Sequence, residues 1–175
     1  MKPSCLGQVD SRITPILAQQ GLALFMSFIS YVSGDLFSAP AGSILVHACN
    51  TKGSWGAGIA LAFKQRFPDA FKVYRAHCQE NGDSLAGTCL IIDGGSHYIA
   101  CLFTSRAYGR NKDSPEQILT ATDSALRDLM AQNTDANLEL HACRFNSGNF
   151  GVPWESTEAI IERLGIPMTV YTPVE

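Results

Sequence analysis

The stretch 43–63, SILVHACNTKGSWGAGIALAF, constrains the fold of this chain more than any other. It begins with the apolar run 44–46, which is typical of a strand buried on both faces of a sheet. A loop with three glycines follows, and a helical apolar pattern starts at Ile59. A strand, a glycine-rich loop and a helix start can present backbone N–H groups and a helix dipole to an anion. The same pattern also fits a plain turn between a strand and a helix.

A second stretch, 138–154, repeats this pattern with the sequence LELHACRFNSGNFGVPW. It again has a strand-like run, His-Ala-Cys and a loop with two glycines, and Pro153 suits the first turn of a helix. If both strands are parallel and end at the same sheet edge, two anion-binding loops lie side by side. That arrangement suits a diphosphate better than a single phosphate.

Composition and charge limit the classes of protein that need to be considered. The chain has 175 residues, of which 46% are hydrophobic and 17% charged, as expected for one globular domain. Its net charge of −3 gives no general basic field, so we expect no nonspecific nucleic-acid binding. We see neither a transmembrane run nor a secretory signal and expect no membrane association.

The six cysteines are spread singly, and no pair has the C-x-x-C spacing. This distribution favours buried thiols in a reducing compartment over a disulfide framework or a zinc site. We therefore predict no metal site and no cofactor.

The remaining pattern predicts a mixed sheet with helices on both faces, an α/β fold. Strands are expected at 28–32, 88–92, 97–104 and 168–172, with a hairpin turn at 93–96. Helices are expected from Pro68 to about Glu80, from Pro115, and over 153–164. Residues 1–26 are interpreted as an N-terminal extension, which includes a possible short helix at 14–26, and residues 27–175 as the domain.

Several familiar site types do not fit the two glycine loops. Neither loop has the lysine of a Walker motif, and Leu61 stands where a dinucleotide fingerprint needs a small residue. Cys49 has no arginine at the end of its loop, as a cysteine-based phosphatase would require. A nucleophilic Cys49 is left as a minor alternative to a buried thiol.

Two polar residues near strand ends are candidates for functional roles. His47 is predicted to lie where its strand ends, and it can act as a general acid or base near neutral pH. The alternative is a histidine satisfied within the core, and the same choice applies to His141. Asp35 follows Gly34 at a strand end, where its carboxylate can accept a hydrogen bond from an amine or cap a turn.

Taken together, several motifs of this sequence resemble those of the macrodomain family. The combination is similar to the fungal ADP-ribose 1''-phosphate phosphatases and runs from about residue 27 to residue 175. It rests on Gly34-Asp35-Leu36, on VHACN at 46–50, on GSWGAGIA at 53–60, on CLFTS at 101–105, on SGNF at 147–150 and on PWE at 153–155.

The resemblance implies a three-layer α/β/α fold with an ADP-ribose pocket at the ends of the central strands. By analogy, Asp35 contacts the adenine amine, Asn50 contacts the distal ribose, and His47 and Asn50 are the catalytic residues. The full set of implied substrate-binding residues is Gly34, Asp35, Leu36, Ala48, Cys49, Asn50, Gly53, Ser54, Trp55, Gly56, Ala57, Gly58, Ile59, Asn146, Ser147, Gly148, Asn149 and Phe150.

The resemblance also implies a function: hydrolysis of ADP-ribose 1''-phosphate, a by-product of tRNA splicing, to ADP-ribose. Because the sequence shows no cluster of metal ligands, we expect this hydrolysis to be metal-independent. Two alternatives stay open, a module that reads ADP-ribose on modified proteins and a de-ADP-ribosylating hydrolase. The glycohydrolase branch uses a lysine where Ser105 stands and an aspartate where Phe150 stands, which argues against its mechanism here. ADP-ribose, its 1''-phosphate and ADP-ribosylated proteins are the expected partners of a cytoplasmic or nuclear monomer.

Overall fold

The structure, a computed structural model, describes residues 26–173. Within this range the chain forms six strands and four helices. In chain order the elements are β1 Ile29–Ser33, β2 Ile44–Asn50, α1 Gly58–Arg66, α2 Pro68–Asn81, β3 Cys89–Asp93, β4 Tyr98–Ser105, α3 Pro115–Gln132, β5 Leu140–Ala142, α4 Trp154–Leu164 and β6 Met168–Thr172.

The six strands form one mixed sheet in the order β1-β6-β5-β2-β4-β3. All neighbouring strands run parallel except β3 and β4, which form the antiparallel hairpin predicted from the turn at 93–96. The carboxyl ends of the five parallel strands therefore meet at one edge of the sheet. Both glycine loops leave the sheet at this edge.

Helices cover both faces of the sheet, which confirms the predicted α/β/α layers. On one face α1 and α2 bury aromatic side chains, including Phe63 and Tyr74, against Leu45 of β2. On the other face α3 and α4 pack Leu126 and Ile161 against the sheet. The central strand β2 is covered on both sides, as its continuous apolar run predicts.

The helix start at Ser114 is confirmed in detail. The Ser114 hydroxyl accepts from the Gln117 N–H and the Gln117 side chain accepts from the Ser114 N–H, which together form a capping box before Pro115. These two hydrogen bonds satisfy donors that a helix start would otherwise leave unpaired.

One predicted boundary was wrong: β2 does not break at His47 but continues to Asn50. It continues because the neighbouring strand β4 pairs with it throughout, with His47 opposite Cys101 and Cys49 opposite Phe103. His47 consequently lies in the middle of the strand. The possible helix at 14–26 lies outside the described residues except for Met26, and the domain boundary stays a prediction. Within residues 26–173, no helix is both long and apolar enough to cross a membrane.

Candidate functional site

An open cavity of about 390 Å³ lies where the parallel strands end. Its walls come from the ends of β1, β5 and β6 and from the first turn of α1. Ligands of open α/β sheets bind beyond the carboxyl ends of strands, so the position is that of a binding site. The lining residues are Gly34, Asp35, Leu36, Ile59, Cys143, Tyr171 and Pro173. The first four belong to the predicted substrate-binding set.

Asp35 presents an accessible carboxylate at this pocket. One oxygen accepts from the Phe37 backbone N–H at 3.0 Å, and the other accepts from the Arg66 guanidinium at 3.2 Å. The carboxylate therefore caps the short turn Leu36–Ser38, which was the alternative role considered for it. It also keeps 56% of its side chain exposed, so it can still accept a hydrogen bond from a ligand.

The first glycine loop is shaped from inside the fold by Asn50. Its amide nitrogen donates to the Ser54 carbonyl at 2.8 Å, and its amide oxygen accepts from the N–H groups of Lys52 and Ser54. The Tyr74 hydroxyl donates to the Asn50 carbonyl at 2.6 Å. The structure therefore engages the Asn50 side chain in the loop itself, and its contact with the distal ribose stays a prediction.

Most other predicted side chains of the first loop also face the interior. Trp55 is buried and stacks on Tyr74, with 4.8 Å between ring centroids. Gly53 has a φ of +72° and packs its backbone against Arg75 of α2. The remaining predicted residues that are buried or half-buried here are Ala48, Cys49 and Ser54.

The last part of the first loop is open to solvent. Gly56, Ala57 and Gly58 are exposed, and no side chain caps the start of α1. The N–H groups of the first helical turn are therefore available to an anion. The predicted ligand binding by Gly56, Ala57 and Gly58 requires only main-chain N–H groups. The exposure of these three residues is compatible with that prediction.

The second loop is anchored by Asn146, whose backbone has the left-handed φ of 66°. Its amide oxygen accepts from the Thr104 hydroxyl, and its amide nitrogen donates to the hydroxyls of Thr122 and Thr157. Asn146 is buried in this network, so its predicted contact with a ligand is not supported. Beyond it, Ser147, Gly148 and Asn149 are exposed and Phe150 is half-buried.

The two loops lie side by side, as the repeated sequence pattern predicts. A Cβ added at Gly58 would lie 3.3 Å from the side-chain nitrogen of Asn149. A Cβ added at Gly148 would meet nothing within 4 Å, so open space lies over this part of the second loop. The polar loop 105–113 borders it, since a Cβ at Gly151 would lie 3.9 Å from Cε of Lys112.

His47 is fully buried and does not reach the pocket. Its ring stacks on Phe63 at 4.0 Å between centroids and meets the edge of Trp55 at 4.9 Å. The position argues against the predicted role of general acid or base and fits the alternative of a core histidine. His141 is also buried, and its ring contacts the Tyr171 hydroxyl at 3.3 Å.

Three residues that line the pocket were missed: Cys143, Tyr171 and Pro173. Cys143 belongs to the repeated His-Ala-Cys, and its place directly after β5 was the available signal. Burial raises the pKa of the Cys143 thiol to about 12, so this thiol is neutral at physiological pH. Tyr171 and Pro173 lie at the end of the predicted last strand, where no local motif marks them.

The Macro domain family matches residues 46–161 of this chain, a range that includes both glycine loops. The chain belongs to the macrodomain family. A Chaetomium globosum protein named ADP-ribose 1''-phosphate phosphatase is 47% identical over an alignment of 150 positions, gaps counted, that covers 75% of this chain and 81% of that protein. An Aspergillus fumigatus protein of the same name is 40% identical over an alignment of 190 positions that covers 84% of this chain and 95% of that one.

Solved macrodomain structures have the same fold. The macrodomain of Mycobacterium tuberculosis DarG superposes with a TM-score of 0.69 and is 28% identical, covering 83% of this chain and 98% of that chain. Thermosipho africanus DarTG in complex with ADP-ribose superposes with a TM-score of 0.68 at 19% identity, covering 86% of this chain and 43% of that chain. At that identity the second comparison establishes the shared fold alone.

Proposed function

We propose that this macrodomain hydrolyses the terminal phosphate of ADP-ribose 1''-phosphate to give ADP-ribose. The observation that carries the proposal is the adjacency of two exposed main-chain loops beside a pocket that ends at Asp35. The relatives from Chaetomium globosum and Aspergillus fumigatus, which bear the name of this activity, support the choice of substrate.

The shape of the site suggests how such a ligand would lie. The adenine amine donates to the exposed Asp35 carboxylate, and Leu36 and Ile59 supply apolar walls. The diphosphate accepts hydrogen bonds from main-chain N–H groups at the uncapped start of α1 and in the second loop. The distal ribose and its phosphate then extend along Ser147–Phe150, where the open space over Gly148 admits them.

The chemistry proposed is attack of water on the 1''-phosphorus, with cleavage of the bond between phosphorus and the ribose oxygen. Since His47 is enclosed by Phe63 and Trp55, we assign no proton transfer to it. The protein contributes by orienting the phosphate and by donating N–H groups to the oxygens on which charge develops. We propose that no metal takes part in this step.

A reader module that binds ADP-ribose without turnover is the second candidate. The buried position of His47 favours it, because the residue predicted for proton transfer has no access to the pocket. Both candidates bind the ADP-ribose part of the ligand in the same way. They differ only in whether the protein hydrolyses the phosphate on the distal ribose.

The deciding experiment offers the protein two substrates in parallel, ADP-ribose 1''-phosphate and an ADP-ribosylated protein. Release of inorganic phosphate from the first, unaffected by a chelator, supports the proposed phosphatase. Release of ADP-ribose from the second instead would show a de-ADP-ribosylating hydrolase. Calorimetric binding of ADP-ribose with no turnover of either substrate would establish the reader.

A further inference from the structure

Three metal-ligating side chains meet beneath the first loop, away from the pocket. One ring nitrogen of His47 and the sulfurs of Cys49 and Cys101 lie within 4.8 Å of one another. The Cys49 sulfur is 3.5 Å from Nε2 and 3.7 Å from Nδ1 of His47. The strand pairing creates the cluster, because His47 of β2 stands directly opposite Cys101 of β4.

The cluster is completely enclosed. His47 and Cys101 have no exposed surface, Cys49 is 2% exposed, and aromatic rings surround them. Among the described residues, the His47 ring nitrogens find only the Cys49 sulfur as a hydrogen-bond partner. Buried polar groups normally have good partners, so an imidazole with only this weak sulfur contact can take a ligand.

We propose that His47, Cys49 and Cys101 bind one thiophilic cation, Cu(I) or Zn(II), in the core beneath the first loop. Thiolate and imidazole are the ligands that these ions select. Three donors bound to one ion at about 2.0–2.3 Å lie about 3.6–4.0 Å from one another. The observed separations, all within 4.8 Å, reach this range after the side chains move closer by about 1 Å at most.

The number of ligands distinguishes the two ions. Structural zinc sites have four ligands, whereas the group in the described residues has three. The three-donor set therefore favours Cu(I), which accepts lower coordination. The spacing of the cysteines predicted no metal site because Cys49 and Cys101 are brought together only by the pairing of two strands.

This site lies outside the pocket, so it is independent of the proposed hydrolysis. Its position points to a structural role: Cys49 directly precedes Asn50, which shapes the first loop. A bound ion would cross-link β2 and β4 beneath that loop. We therefore expect the ion to slow hydrogen exchange of the backbone at 51–57.

The test refolds the full chain under reducing conditions with Cu(I), with Zn(II), or with neither. Excess ion is removed with a competing chelator before elemental analysis, thiolate-to-metal absorption and thermal melting are measured. We expect one ion per chain for Cu(I) or Zn(II), together with a higher melting temperature.

The variants Cys101→Ala and Cys101→Ser should lose the ion and the rise in melting temperature. Cys89→Ala is the matched control, because Cys89 is another buried thiol that packs on the opposite face of the sheet, and it should retain both. Wild-type protein that retains neither ion overturns the proposal, whatever the variants do. Equal metal content in wild type and a folded Cys101 variant overturns it as well.

Discussion

The two glycine loops begin with the same three residues, His-Ala-Cys, yet the structure uses them differently. In the sheet Leu45 stands beside His141 and Val46 beside Ala142, so the two copies are offset by two residues. Strand β5 ends at Ala142, whereas β2 continues to Asn50. Cys143 therefore leaves the sheet and lines the pocket, while Cys49 remains inside beneath its loop.

This difference shows that the length of a strand decides what a repeated motif does. The cysteine on the long central strand becomes a core residue, and the cysteine after the short strand lines the pocket, whereas both histidines are buried. The feature that the loops do share is a buried asparagine, Asn50 or Asn146, that holds each loop by its side-chain amide.

Removing the anchor of the second loop should have the largest effect. Asn146→Ala leaves the hydroxyls of Thr104, Thr122 and Thr157 without an amide partner and places alanine at a left-handed φ. We expect the free energy of unfolding to fall by about 2–4 kcal/mol in denaturant titration. The control Asn149→Ala, in the exposed part of the same loop, should change it little. Similar stability of both variants would show that the amide network does not hold the loop.

Substituting valine for one glycine in each loop should distinguish an effect on stability from an effect on ligand binding. Gly58→Val forces a branched residue into φ +56° and against Asn149, so we expect a loss of about 1–2 kcal/mol of stability as well as a loss of affinity. Gly148→Val meets open space at an ordinary φ, so the protein should keep its stability. Its affinity for ADP-ribose should fall about tenfold or more, or about 1.4 kcal/mol, since the side chain occupies the space proposed for the phosphate. Unchanged affinity would remove the second loop from the site.

Asp35 lies at the other end of the pocket, away from both loops. Asp35→Ala should weaken the binding of ADP-ribose by about 1–3 kcal/mol, as measured by calorimetry. This is the range expected when a charged hydrogen-bond partner is lost. Asp69→Ala removes another exposed, ion-paired carboxylate and is the control. If both variants bind as tightly as wild type, the adenine does not contact Asp35.

The smallest expected effect concerns the alkylation rate of Cys143. It tests whether Cys143, unlike Cys49, leaves the sheet and lines the pocket. Because burial raises its pKa to about 12, alkylation by iodoacetamide should be slow at neutral pH and rise with pH as the thiolate forms. ADP-ribose should slow the reaction several-fold further, as mass spectrometry of the labelled peptide would show. Cys89 is outside the pocket and should gain no protection from the ligand. Protection of both cysteines alike would mean that ADP-ribose acts through global stability.

Much of the fold could be predicted from local patterns. The apolar run at 44–46, the turn at 93–96 and the cap at Ser114 each determine an element by short-range chemistry, and the structure has all three. The pocket positions of Gly34, Asp35, Leu36 and Ile59 followed from the family motifs.

The rest depended on which strands are neighbours and where each strand ends. Nothing near His47 in the sequence shows that Cys101 lies opposite it, or that Phe63 from the following helix covers its ring. Likewise Tyr171 reaches the pocket only because β6 lies between β1 and β5. Such contacts between distant segments cannot be predicted from the hydrophobic periodicity of one segment.

The pairing of β1 with β6 also has a consequence for biosynthesis. The first described strand can find its partner only after the last strand has been made, and Gly34 is fixed by its N–H bond to the Thr172 carbonyl. A nascent chain therefore cannot complete the wall formed by Gly34, Tyr171 and Pro173 until β6 and Pro173 have been synthesised. Long-range closure of this kind slows folding and leaves the edge of β5 exposed in the meantime. Ligand binding by this domain thus requires the entire sheet to be assembled first.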